Sequence, residues 1–517
     1  MWHSTVALLV WGTILLHAAA LGGTFVRISG LRFCDGWTRL AVLGGVGLAL
    51  FGLELFIVGE IRVLTRTTLL ISTAVMAALM LWNCSGGRLA DSFAMPRRKA
   101  AGGSRRFDGA GPRGDRVTAL WVALGIVFSL LVIASWRPPT DIDEVDYHWP
   151  APLLWASAGG WVQSPYRLTN GPALAEMLFT VSALYDNSTA AHLTGVLAVA
   201  LIAAACGSLA KSVGVGALPA AAAAMSVSAL ICNGPEALND NLAAAFALCA
   251  YAAMFGEQEA SDSAWPRTLT TALLVSAAIS TKPFTLLCVP GLCAYLLRRS
   301  MRSARAAGGE GDRSISRRSA IAGAAVLCAA SAVTLGVWSA HCYAHTGKLW
   351  DNNGYAMASN PSDPLWDNPK AAGREPRLQD FVTMPIILPV AATLGHESNV
   401  YGNRIGPLLL VFGLAGVAGA RQLQPEHRFK LSWLLASAAF YLVVFCPISP
   451  KTRFHIFVWG FAAVLAAVGW EWTQTRRPTT AQLARYLFLL LLAIGVADAS
   501  RHLFSFGLQL GRRVRGF

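Results

Sequence analysis

The chain has 517 residues, of which 55% are hydrophobic and only 14% charged, with a formal net charge of +14. Soluble domains carry about 25% charged residues, so this deficit, with a mean hydropathy of +0.49, excludes an ordinary soluble enzyme and points to lipid as the solvent. The positive balance suits an anionic membrane surface. Nucleic acid is not expected as a partner, because the basic residues sit in short loops between apolar runs.

A helix needs about 20 apolar residues to cross a bilayer. Runs of that kind fall at about 4–24, 39–59, 67–83, 117–136, 189–210, 213–232, 240–256, 319–342, 404–420, 431–446, 453–472 and 484–505. The first is read as a retained helix, since it lacks a basic leader and a cleavage site. The stretch 268–297 is too long for one span and breaks at Lys282-Pro283, so it is read as two. The expected fold is an all-α polytopic membrane protein of about 13–14 transmembrane helices, with outer-face loops and short interfacial helices. The ten cysteines, mostly inside apolar runs and without a metal-type pair, read as small apolar residues.

Lys and Arg set the expected orientation. The loops 84–117 (Arg88, Arg97, Arg98, Lys99, Arg105, Arg106, Arg113, Arg116) and 298–318 (Arg298, Arg299, Arg302, Arg305, Arg313, Arg317, Arg318) are basic and read as cytoplasmic. Alternation then puts 137–188 and 343–403 outside, along with the turns at Cys232–Asn241 and Lys282. It also carries the basic tail Arg512, Arg513, Arg515 outside, unless the last run lies in the interface or a span is miscounted.

The outside segments hold the chemistry. At the first helix exit, Asp141, Asp143, Glu144 and Asp146 crowd together ahead of Tyr147, His148, Trp149 and Pro150. Acids packed at a low-dielectric boundary repel one another and need a cation, a metal or a proton to accept, as a general base does; a solvated acidic loop is the plain alternative. Trp155 and Trp161 read as an aromatic belt, and Ala173–Phe179 as an amphipathic helix along the surface. Glu236 and Asp240 are four apart, so a helix starting near Pro235 would show both on one face of its first turn; acidic capping is the alternative. Lys282 sits where an apolar run breaks and either snorkels or binds an anion such as phosphate. Lys451 and Arg453 are cations outside, against the positive-inside trend, which points to phosphate or pyrophosphate, with interface anchoring as the alternative. His341, His345 and His396 lack metal-type spacing and read as loop or interface residues.

These segments resemble the C-type (GT-C) glycosyltransferase superfamily, in particular bacterial members of the dolichyl-phosphate-mannose protein mannosyltransferase and lipid A aminoarabinose transferase group. Asp143, Tyr147-His148-Trp149-Pro150, Trp155 and Gly159 match the family's first outer loop, and Pro172–Phe179 its Pro before a Glu-Met-Leu-Phe helix. Asn239-Asp240 is similar to the second acidic site, Thr281-Lys282-Pro283 to the Thr-Lys element, and Tyr343–Trp350 to the Thr-Gly-Asn-Pro loop with Lys-Leu in place of Asn-Pro. Ile405–Leu408 and Thr452-Arg453-Phe454 resemble later elements, with Phe454 where Tyr is more usual. The resemblance covers roughly 117–475, which divides the chain into N-terminal helices (1–83), a basic cytoplasmic linker (84–116), a GT-C-like core (117–475) and a C-terminal membrane segment with a basic tail (476–517).

What the resemblance implies is a sugar transferred, with inversion, from a polyprenyl-phosphate donor to an envelope lipid, glycan or protein outside the cytoplasm of a bacterial inner or plasma membrane. Asp143 is the implied general base, with Asp141 and Asp146 as alternatives. Lys282 and Arg453, with Lys451 beside them, would hold the departing phosphate. Asp240 and Glu236, with Tyr147 and His148, would orient the acceptor or hold a divalent cation. The competing class is a multi-helix transporter or lipid flippase; such proteins often show an internal repeat and charge near the midplane, whereas here no repeat is seen and the charges cluster at helix ends.

Overall fold

A computed structural model describes residues 2–33, 35–85, 114–165, 169–256, 264–306, 310–349, 377–394, 404–449 and 451–514. The segments 86–113 and 350–376 lie outside the described residues, whereas the basic stretch 298–318, expected as a loop, is helical on both sides of 307–309. The protein is an all-α polytopic membrane protein. Its helices are α1 (Trp2–Ser29), α2 (Gly36–Glu60), α3 (Arg66–Ser85), α4 (Gly114–Ala134), α5 (Pro150–Ala158), α6 (Leu174–Ala183), α7 (Ser188–Ser212), α8 (Ala217–Ala224), α9 (Ser228–Cys232), α10 (Asp240–Phe255), α11 (Ala264–Thr281), α12 (Cys288–Ala306), α13 (Glu310–Thr346), α14 (Asp380–Leu394), α15 (Pro407–Ala420), α16 (Pro425–Phe445), α17 (Ile456–Gln474) and α18 (Pro478–Val514).

Among the described residues, nine helices are long and apolar enough to cross a membrane. Four more, α6, α10, α14 and α15, are apolar but shorter. The split at Lys282 is present: α11 ends at Thr281, Pro283 opens a 3₁₀ turn, and α12 follows. One expected span is not a single helix. The run 213–232 forms α8 and α9, and the Ser226 carbonyl between them lies against Gly406 and Gly495, where a side chain would collide. Ser228 Oγ donates to Asp498 Oδ2 at 2.9 Å, so α18 packs over this break.

The centre of the bundle is α7, α10 and α17, almost wholly buried, while α3, α4 and α13 leave most of their surface to lipid. Without a hydrophobic drive between helices in lipid, close approach relies on small residues. Gly22 and Gly47 bring α1 against α2, each on a backbone carbonyl of the other helix (Leu43 and Ala18). Gly416 and Gly469 do the same for α15 and α17, against Leu465 and Phe412.

Two expectations for the first outer segment fail. All ten residues of α6 are buried, so it is an internal helix and not an interfacial one. Trp155 and Trp161 are also buried, with rings edge to face at 4.4 Å, rather than forming a headgroup belt. Trp161 is fixed by donating from Nε1 to the Phe56 carbonyl (2.9 Å) and from its backbone N–H to Gly59 O (3.1 Å), which ties this segment to the end of α2. The last helix reaches the same end of the bundle: Arg137 donates to the Leu503 carbonyl.

Candidate active site

Helix α4 stops at Ala134, and after Pro138 and Pro139 the chain turns through a π-helical turn, Glu144–His148, before Pro150 opens α5. The wide turn is closed by Trp149 N–H to Glu144 O (2.9 Å) and aims successive acids in different directions. Asp143 points at Arg453 and pairs with it. Asp141 accepts the Asp143 backbone N–H at 2.9 Å. Glu144 turns into the bundle. Asp146 is exposed.

Glu144 is fully buried and satisfied. His192 Nε2 lies 2.5 Å from Oε1, which also accepts the Ala237 N–H at 3.0 Å, and His192 Nδ1 is 2.9 Å from the Ser135 carbonyl. That Ala237 contact explains another departure. It holds 233–239 in a turn, so α10 begins at Asp240 rather than near Pro235, and Glu236 does not share a face with Asp240. Glu236 instead lies 3.8 Å from Arg137.

Asp240, in the first turn of α10, faces two cations. Lys282 Nζ pairs with Oδ1, and Arg453 Nε lies 3.8 Å from Oδ2. Asp143, Arg453, Asp240 and Lys282 are therefore a continuous chain of alternating charge, drawn from four separate segments. Lys282 is set by its place between α11 and the 3₁₀ turn, where Thr285 Oγ1 caps its carbonyl at 2.8 Å. Arg453 sits in the turn Thr452–His455, anchored by Trp459 Nε1 to Thr452 O (3.1 Å), Tyr441 OH to Phe454 O (3.0 Å) and His455 Nε2 to Ser449 O (2.9 Å). The Phe454 ring lies under all three expected phosphate ligands, 4.4 Å from Lys282 Nζ, 5.4 Å from Arg453 Cζ and 5.9 Å from Lys451 Nζ. A ring face within about 6 Å stabilises a cation where water is scarce.

Beneath this chain, His148 Nδ1 lies 2.6 Å from Glu176 Oε1, which also accepts Asn239 Nδ2 at 3.0 Å. All three are buried, and Tyr147 packs on the His148 ring at 4.2 Å. This pair joins the Asp143 segment, α6 and the residue before Asp240.

The electrostatics separate the acids. Burial raises the Asp141 carboxyl above the ordinary range, Arg453 opposes and Asp143 adds to the rise. Burial also acts on Asp143, but the Arg453 guanidinium outweighs it and holds the carboxyl below the ordinary range. Burial, then Asp141 and Glu144, push Glu236 well above the ordinary glutamate value. Lys451 is lowered by burial and by Arg453.

The residues that sequence reasoning missed are His192, with Glu144 as its partner, and Glu176 with Asn239. A histidine inside the apolar run of α7 was the available sign. His341 and His345, expected as loop or interface residues, lie one turn apart in α13 and face Glu60. His396 lies outside the described residues.

No family model matches the chain, and no curated protein matches it. Among solved structures it is similar to ArnT from Cupriavidus metallidurans in the apo state, with TM-score 0.45 and 15% identity over 74% of this chain and 77% of that one. It is similar also to the same protein bound to undecaprenyl phosphate, with TM-score 0.43 and 16% identity over 77% and 76% of the two chains.

Proposed function

We propose that this protein is a GT-C-type membrane glycosyltransferase that moves a sugar from a polyprenyl-phosphate carrier to an envelope lipid, glycan or protein on the non-cytoplasmic face. The observation that carries the reading is the chain Asp143–Arg453–Asp240–Lys282 laid over Phe454 at one end of the bundle. A buried row of this kind is costly unless its cations and carboxylates have work to do.

The arrangement supports a definite exchange of partners. The donor phosphate brings negative charge to Lys282, Arg453 and Lys451, the last of which faces the site from the same turn. As the phosphate oxygens take the Arg453 N–H groups, Asp143 loses its counter-ion and becomes more basic. It then accepts the proton of the acceptor hydroxyl. The acceptor oxygen bonds to the anomeric carbon from the side opposite the phosphate, and the bond from that carbon to the phosphate oxygen breaks. The electron pair leaves with the polyprenyl phosphate, whose added charge the same cations stabilise. Asp143 is the base because it contacts Arg453 directly, so the arriving phosphate acts on it, whereas Asp141 spends an oxygen on the Asp143 N–H and Asp146 is exposed. Glu236, beside Arg137, orients the acceptor, and Tyr147 and buried His148 hold the Asp143 segment in place through Glu176. Both oxygens of Asp240 face cations, so a divalent ion fits poorly at that carboxylate.

The test is an assay on membrane vesicles supplied with a radiolabelled polyprenyl-phosphate sugar. Label appearing in a lipid, glycan or protein acceptor fraction is the expected result. Label crossing into the vesicle lumen while still on its carrier would make the protein a transporter.

A further inference from the structure

Away from the Asp143 chain, three potential metal ligands converge from two helices far apart in sequence. Glu60 is the last residue of α2, and His341 and His345 lie in the last two turns of α13. His341 Nδ1 pairs with one Glu60 oxygen, and His345 Nε2 lies 3.6 Å from the other. One donor atom from each residue falls within 4.8 Å of the other two. His345 Nε2 is buried without a hydrogen-bond partner, an arrangement that proteins rarely leave unexplained.

The rings are held in place. His341 packs edge-on against Trp338 (5.3 Å) and Trp161 (6.4 Å) and beside Phe56 (5.5 Å), and the two imidazoles lie 4.6 Å apart. Trp161 is itself bonded to Phe56 O and Gly59 O, so the end of α2 that carries Glu60 is braced by the same residue that walls the histidines. Glu60 keeps about one third of its side chain exposed (34%), which leaves a path for an ion to enter.

We infer that Glu60, His341 and His345 bind one zinc-class transition metal ion, which clips the outer end of α13 to the end of α2. Two imidazoles and a carboxylate suit a borderline ion of this class and leave one coordination position open; magnesium and calcium prefer all-oxygen sets. Ligands about 2.1 Å from a tetrahedral ion stand about 3.4 Å apart, so the widest pair closes by at most about 1.4 Å, within reach of side-chain rotation. The site shares no residue with the Asp143 chain and does not depend on the transferase reading.

The experiment uses the full-length protein in detergent micelles, its affinity tag removed, stripped with a chelator and titrated with Zn²⁺ or Co²⁺ alone. One equivalent of Zn²⁺ should be retained after desalting, and Co²⁺ should give the intense visible bands of a four-coordinate site. His345→Ala and Glu60→Gln should weaken Zn²⁺ binding by more than the roughly 10–100-fold typical of outer-shell changes. Where a variant fails to fold, the Co²⁺ spectrum of the unaltered protein decides. No retained zinc together with only weak six-coordinate cobalt bands would overturn the site, as would folded variants that bind as tightly as the parent.

Discussion

Asp143 and Arg453 lie 310 positions apart in the chain and form an ion pair at the end of the bundle, with Asp240 3.8 Å from the Arg453 Nε on its other side. One guanidinium thus serves two carboxylates from different helices, and whatever displaces it alters both.

Arg453→Lys keeps the charge but loses the planar fork. A phosphate held by two guanidinium N–H groups should then bind roughly 10–100-fold more weakly, since hydrogen bonds to charged groups contribute about 1.5–3 kcal/mol. The rise should appear in the KM for the lipid-phosphate sugar, with the amount of folded protein unchanged. An unaltered KM would remove Arg453 from the donor site.

Lys282→Met leaves Asp240 with Arg453 as its remaining counter-ion. Breaking a buried pair costs about 3–5 kcal/mol, and the nearby guanidinium should keep the loss at the lower end. Thermal unfolding in micelles should show it as a clear fall in Tm. Asp240→Asn made in the same protein should recover part of that fall, because the uncompensated charge is gone. A double variant as unstable as the sum of the two singles would show that Lys282 and Asp240 do not interact.

Phe454 is the ring beneath three cations. Phe454→Tyr should keep donor affinity, and Phe454→Leu should lower it by about 0.5–2 kcal/mol, or 2–30-fold. Donor titration of both variants checks this; equal affinities would reduce the ring to packing.

Glu236 and Asp143 should leave opposite marks on stability against pH. Glu236 is raised on folding, so it stabilises the fold below its ordinary value of 4.5 and that contribution is lost as pH rises toward the folded value. Asp143 is lowered, so its contribution is full above the ordinary value of 3.8 and is lost as pH falls through the folded value. Glu236→Gln should therefore flatten the decline of Tm with pH above about 4.5. Tm curves of variant and parent that run parallel there would refute the upward shift of Glu236.

Much of this was readable in the chain itself. The spans stand out because lipid demands long apolar runs, and Lys282-Pro283 marks its own helix break. Asp143, Asp240, Lys282 and Arg453 are conspicuous as charges at helix ends, and the folded protein brings them together. What stayed hidden depends on partners distant in sequence. Ala173–Phe179 looks amphipathic through Glu176 alone, and only the fold reveals that His148 and Asn239 satisfy that acid inside the bundle. His192 lies unmarked in an apolar run until Glu144 meets it. The start of α10 was misplaced because a contact from Glu144 to Ala237 overrides the local preference of Pro235. His341 and His345 do not stand out as a pair while Tyr343–Trp350 reads as a loop; the helix runs through both and sets them one turn apart, and the third member, Glu60, lies 281 positions from His341.

The most direct measurement compares Asp143→Asn with the unaltered protein, at equal folded amount, in the vesicle assay with radiolabelled polyprenyl-phosphate sugar. With Asp143 as the base, transfer to acceptor should fall by roughly 10²–10⁴-fold while the donor still binds. Transfer at the parental rate would contradict the account.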